Sequence, residues 1–148
     1  MKKLFLAAAA GVLVLAAPAL ADGQAHNLPD PADFTVQNAE AFSGAMNHPT
    51  RAEDNARDQY RHPVETLSFF QVAPDMKVGE YAPGGGWYSR LLGHYLGGEG
   101  QLVGLYANPL TATTDAARQQ RLRDAAAGFP AEVAGYTGLP ADRFGGLT

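Results

Sequence analysis

The chain has 148 residues, 18% of them charged, a net charge of -4 and no cysteine. Without cysteine there are no disulfides, no lipidated cysteine and no thiolate-held zinc. The acidic balance argues against nucleic acid or an anionic membrane as partner. The first residues, Met1-Lys2-Lys3, form a short basic segment, and the fourteen residues Leu4 to Ala17 follow without a charge. Ala19-Leu20-Ala21 then matches the small-x-small rule for cleavage, and the three parts together are the pattern of a secretory signal peptide. The apolar run is short of the ~20 residues of a spanning helix, so no stable membrane anchor is expected. No Arg-Arg pair precedes it, which argues against a twin-arginine signal. The mature protein is therefore expected in the periplasm or secreted, cleaved after Ala21. Removing Lys2 and Lys3 with the leader takes the 11 basic residues to 9 against 15 acidic ones, a net -6 over 127 residues. That length suits one domain with a modest core.

Residues 22–49 read as a flexible lead-in followed by one short helix from Phe34 to Met46, broken at Asn47-His48-Pro49. Thr50 is placed as an N-cap with Glu53 as its capping-box partner, opening a polar helix from Arg51 to about Tyr60. Pro63 restarts a helix, and Pro74-Asp75 makes a turn. Met76 to Tyr81 reads as a strand, Trp87 to Leu96 as a helix closed by Gly97-Gly98-Glu99-Gly100, and Gln101 to Tyr106 as a second strand. After a turn at Asn108-Pro109, Thr114 is placed as the cap of a helix from Ala116 to about Ala127, stopped by Gly128-Phe129-Pro130. Residues 131–137 form a candidate third strand. Residues 50–148 thus alternate strand and helix, as in a parallel sheet. The fold class is α/β: an incomplete Rossmann-like fold of about three parallel strands with helices.

The informative segment is Glu80-Tyr81-Ala82-Pro83-Gly84-Gly85-Gly86-Trp87-Tyr88-Ser89. A strand runs into glycines and then into a helix. Glycines let a ligand approach the backbone closely, and the helix start presents free N–H groups. At this edge of an open α/β sheet, nucleotide-like ligands bind. A dinucleotide site asks for Gly-x-Gly-x-x-Gly and a later acid; Gly84, Gly86 and Ser89 meet that only loosely.

The order acid, small residue, then glycines at spacing two (Glu80, Ala82, Gly84, Gly86) resembles the first motif of class I methyltransferases that use S-adenosylmethionine. A longer pattern strengthens the likeness: His62-Pro63-Val64-Glu65-Thr66-Leu67-Ser68-Phe69-Phe70, then Pro74-Asp75-Met76, then Pro83-Gly84-Gly85-Gly86-Trp87-Tyr88. It is similar to a group of predicted, signal-peptide-bearing bacterial methyltransferases, over roughly residues 50–109. The resemblance implies S-adenosylmethionine as cofactor, held by Glu80, Ala82, Pro83, Gly84, Gly85, Gly86, Trp87 and Tyr106, with Glu80 orienting it and Trp87 as a wall of the adenosine pocket. Tyr106 stands where the family has the acid that holds the ribose hydroxyls; Tyr106 or Asn108 would offer one hydrogen bond instead. The family's sheet has further strands, so the chain is expected to be the N-terminal part of such a domain.

The remaining candidates have plainer readings beside the functional ones. The polar helix, with Asp54–Arg57, Asp58–Arg61 and Asp58–His62 pairs, reads as a solvated, salt-laced face, with a wall over the cleft as the alternative. His62 is either a general base or a helix cap before Pro63, and the cap is preferred. His26, His48 and His94 are scattered, with no metal spacing. Three functions follow: a methyltransferase or its remnant with unknown acceptor, a non-catalytic exported module binding a small ligand or a protein, and a nicotinamide-dependent oxidoreductase. Oligomeric state and catalytic residue are not readable from the sequence.

Overall fold

The computed structural model describes the backbone of Leu4–Ala8 and residues 30–148. The expected leader cleavage site at Ala21 lies outside the described residues. Three strands, Lys77–Tyr81 (β2), Gln101–Leu105 (β3) and Phe144–Leu147 (β4), run parallel in that order. The backbone of Leu4–Ala8 (β1) lies parallel along the free edge of β2, with Leu4 opposite Lys77 and Ala8 opposite Tyr81. Strand β3 continues the register, setting Val78 beside Leu102 and Glu80 beside Gly104.

Helix Trp87–Tyr95 (α5) follows β2 and buries Leu91, Leu92 and Tyr95. Their three-to-four spacing gives the apolar face that the sequence suggested. The long helix Ala116–Thr137 (α7) lies beside α5 and against β3 and β4. It overturns two expectations: Pro130 does not stop the helix, and residues 131–137 are helical rather than a third strand. Ala126, Phe129 and Val133 are buried at helical spacing, so packing of that face outweighs the proline. Proline leaves the carbonyl four residues back without its helical donor. Here that carbonyl is Ala126's, and it lies against Gly146 of β4, where any Cβ would collide with it. The third strand is instead β4, whose Gly145 and Gly146 disguised it. The N-cap of α7 is Asp115, not Thr114: its carboxylate accepts from Arg118 N at 2.6 Å.

The lead-in also differs. Two helices, Pro31–Gln37 (α1) and Ala39–Met46 (α2), replace the single one expected, with the chain breaking at Asn38. The polar stretch is not one helix either. Short 3-10 turns at Pro49–Arg51 and Asn55–Arg57 lead into Asp58–Arg61 (α3). His48, not Thr50, caps the first turn, accepting from Thr50 N at 3.4 Å. His62 takes a left-handed conformation between α3 and Pro63–Phe69 (α4) and makes no side-chain cap bond. The Asn108-Pro109 turn opens a further one-turn helix, Pro109–Ala112 (α6). Among the described residues no helix is long and apolar enough to cross a membrane.

Candidate functional site at the glycine loop

Strand β2 ends at Tyr81, and the loop to α5 turns on three residues of positive φ: Ala82 (50°), Gly84 (58°) and Gly86 (74°). Such angles strain an L side chain and are free for glycine; Ala82 adopts one without that freedom. Ala82, Gly84 and Gly85 are exposed, while Pro83 and Gly86 are buried. The two kinds of glycine do different work. A Cβ at Gly85 would meet nothing within 4 Å, whereas one at Gly86 would meet Arg90 Nη1 at 3.0 Å, Tyr136 Oη at 3.5 Å and Glu132 Oε1 at 3.7 Å. The open side of the loop is thus at Gly84 and Gly85, and Gly86 admits the chain's own side chains. Gly86 is the N-cap of α5 and offers no side-chain cap, so the first-turn amides of the helix keep their capacity to meet a ligand.

Beneath the loop is a cluster of titratable groups. Glu80 has no exposed surface; its Oε2 accepts from Ser89 Oγ at 2.7 Å, and its Oε1 has no partner. Burial pushes its carboxyl up to about 7, against the pull of the Ser89 hydrogen bond, with Glu132 raising it and Arg90 lowering it. Tyr136 of α7 brings its buried hydroxyl beside Ser89 without a well-aligned hydrogen bond. Burial, then the charge of Glu132, raises that phenol. Tyr106 follows the end of β3; its backbone N–H donates to Leu147 O at 2.8 Å and its ring stands edge-on to Phe129. Burial, then Glu132 and Glu80, pushes its phenol up to about 12, so it is a neutral hydroxyl at any ordinary pH.

The polar stretch before the sheet is only in part a solvated face: Glu53, Arg57, Gln59 and Tyr60 are exposed, but Arg51 and Asp54 turn inward. Arg51 has no exposed surface and Asp54 is 6% exposed. Arg51 Nη2 meets Asp58 Oδ1 at 2.7 Å and Nη1 donates to Met46 O at 3.0 Å. Asp54 takes Arg90 in a two-pronged pair, Nε at 2.6 Å and Nη2 at 2.7 Å, and Arg90 Nη1 donates to Gly85 O at 3.1 Å. The Asp54 carboxylate is the main cause of the raised Arg90 guanidinium. Trp87, 3% exposed, donates its indole N–H to Asp54 O at 3.1 Å and carries Arg61 over its ring at 4.8 Å. The structure therefore brings Glu80, the loop residues 82–86 and Tyr106 to one end of the sheet and packs Trp87 under the polar stretch. His62 stays outside, facing Glu65 at 3.8 Å.

Sequence reasoning missed Glu132 and Tyr136; a short strand over 131–137 gave them no place beside Glu80, whereas the long helix α7 packs on α5 and β3 and carries both, four apart on one face, to the glycine loop. It also missed that His48 and His94 meet. Their rings stack at 3.5 Å, and Thr50 Oγ1 lies 2.9 Å from His48 Nδ1 and 2.8 Å from His94 Nε2. Burial, then His48 and Arg51, lowers His94 to about 4. A base depressed in the folded state supports folding above its unfolded value and loses that support as pH falls. Stability conferred by this pair is thus expected to fall between about pH 6.5 and 4. His94→Asn should flatten the wild-type fall in urea midpoint over that window, and parallel curves for the two proteins would contradict it.

Comparison with family models, curated proteins and solved structures finds no match to this chain.

Proposed function

We propose that the chain is an exported S-adenosylmethionine-dependent methyltransferase or a remnant of one, binding its cofactor at the loop 82–86. The observation that supports this most is the loop itself: a buried acid, three left-handed residues and a helix start without a side-chain cap, in sequence order. The surrounding donor set fits such a cofactor. The oxygens of Glu80, Glu132, Tyr106 and Tyr136 suit a ligand with hydroxyls and positive charge, and Arg90 is already engaged by Asp54 and Gly85. The Glu132 carboxylate beside Gly86 would repel a pyrophosphate, and Arg90 is already engaged, which counts against a nicotinamide dinucleotide. When bound, the cofactor would supply an electrophilic methyl group. The chain's own part is to hold it with backbone at Gly84 and Gly85, the carboxyls of Glu80 and Glu132, and the neutral phenol of Tyr106.

One observation favours the second reading, a non-catalytic exported binding module. At the end of β3 stands Tyr106, a phenol that stays protonated, where a carboxylate would grip two hydroxyls at once.

Calorimetric titration of S-adenosylhomocysteine into the full chain tests the cofactor site. Gly85→Asp is the chosen variant, because its side chain enters open space and φ is unstrained there. The wild type should bind, and the variant, with unchanged circular dichroism, should lose at least tenfold in affinity, about 1.4 kcal/mol. Equal affinity in the two proteins would remove the cofactor from this loop. Methyl transfer to any component of a cell extract would exclude the non-catalytic module.

A further inference from the structure

The polar niche under the glycine loop has an unusual balance. The groups facing Glu80 come from every element around it: Ser89, Arg90 and Tyr88 of α5, Glu132 and Tyr136 of α7, and Tyr106 at the end of β3. One cation stands among them, and Asp54 and the Gly85 carbonyl already take three of its N–H groups. The Glu80 oxygen Oε1 is fully enclosed and has no hydrogen-bond partner. A buried carboxylate in that state is costly, and a buried carboxylic acid less so. Glu132, by contrast, is exposed, with its Oε1 close to Gly86 at the end of the loop, so a second negative charge stands beside the loop. The site is thus short of one positive charge.

We propose that the niche exchanges a proton for the charge of its ligand: when a cationic small molecule, such as a sulfonium, seats at the loop, Glu80 gives up its carboxyl proton to solvent. This rests on the reading of the loop as a cofactor site and adds its regulation. The balance is simple. The O–H bond of the Glu80 carboxyl breaks, the proton goes to buffer, and the remaining carboxylate keeps its hydrogen bond from Ser89 while its new charge offsets that of the ligand. Linkage then makes affinity for the cation rise with pH, by about tenfold between pH 6 and 8 for one group titrating near 7. A neutral ligand of the same shape gains nothing.

The test compares S-adenosylmethionine with S-adenosylhomocysteine, which differ by one methyl group and one positive charge. Both are titrated into the full chain at pH 7 in two buffers of different ionisation enthalpy. Binding of S-adenosylmethionine should release about half a proton, the share of a group half-protonated at that pH. Release with S-adenosylhomocysteine should be less than a third of that. In Glu80→Gln, at whatever affinity it retains, S-adenosylmethionine should bind with no more proton release than S-adenosylhomocysteine. Infrared difference spectra of the wild type provide a second readout free of any variant: the carbonyl band of a protonated carboxyl should weaken when S-adenosylmethionine is added and not when S-adenosylhomocysteine is. Equal proton release by the two ligands, or an unchanged carboxyl band, overturns the exchange while leaving the cofactor site standing. Binding of neither ligand overturns both.

Discussion

Replacing Arg51 by alanine is expected to cost about 3–5 kcal/mol, the range for removing one partner of a buried ion pair. Arg51 lies wholly inside, its guanidinium bonded to Asp58 and to the Met46 carbonyl and set 5.3 Å from the centre of the Trp87 ring. Truncation leaves the Asp58 carboxylate, itself only 16% exposed, without its cation. It also opens a void beside Trp87, which adds a packing term. A domain of this size is stable by about 5–15 kcal/mol, so the variant should lose much of its margin. Urea unfolding followed by circular dichroism measures it. The double variant Arg51→Met, Asp58→Asn is expected to recover part of the loss, since it leaves no unpaired charge. A single variant within 1 kcal/mol of wild type would show that the pair is not load-carrying in the folded state.

Glu80→Gln is expected to stabilise the protein above neutral pH and to do nothing in acid. The sign follows from the direction of the shift. Burial raises the folded carboxyl to about 7 from an ordinary 4.5, so the folded state holds a proton the unfolded chain has released. Such a group favours folding fully below its unfolded value, and that contribution is lost as pH rises through 7. A shift of this size corresponds to about 3 kcal/mol, present as a penalty at pH 8. The amide side chain keeps the acceptor for Ser89 and cannot ionise. Urea midpoints of the two proteins should therefore coincide near pH 4 and separate towards pH 8 with the variant the more stable. His94 acts in the opposite sense over much the same range, so the wild-type profile should be flatter than either group alone would make it. A variant less stable than wild type at pH 8 would mean that the carboxylate is paired in a way the hydrogen bonds do not show.

How much of this could be read from the sequence depended on punctuation. Strands at 77–81 and 101–105 and the helix between them were legible because glycine and proline clusters bracket short apolar runs. The loop from Glu80 to Gly86 was legible for the same reason. The third strand was not, because Gly145 and Gly146 carry no β-branched signal, and Gly146 is there to let α7 approach at Ala126. Pro130 misled in the same region, since the apolar spacing of Ala126, Phe129 and Val133 overrides a local breaker. Arg51 and Asp54 looked like surface charge because their neighbours in sequence offered partners. Asp54 in fact pairs with Arg90, which lies 36 residues further on, and no local spacing rule reaches that far. Glu132 and Tyr136 reached the site only through the helix that the proline had concealed.

Asp54 has a consequence for anyone treating the glycine motif as a portable part. Its carbonyl anchors the indole at the first position of α5, and its carboxylate anchors the guanidinium that in turn grips the Gly85 carbonyl. The curvature of the loop is therefore dictated from outside the strand, loop and helix that spell the motif. Transplanting residues 77–95 into another scaffold would leave both anchors behind. The smallest transferable unit starts near His48, and a library that randomises the polar stretch would reshape the binding loop without altering one of its residues.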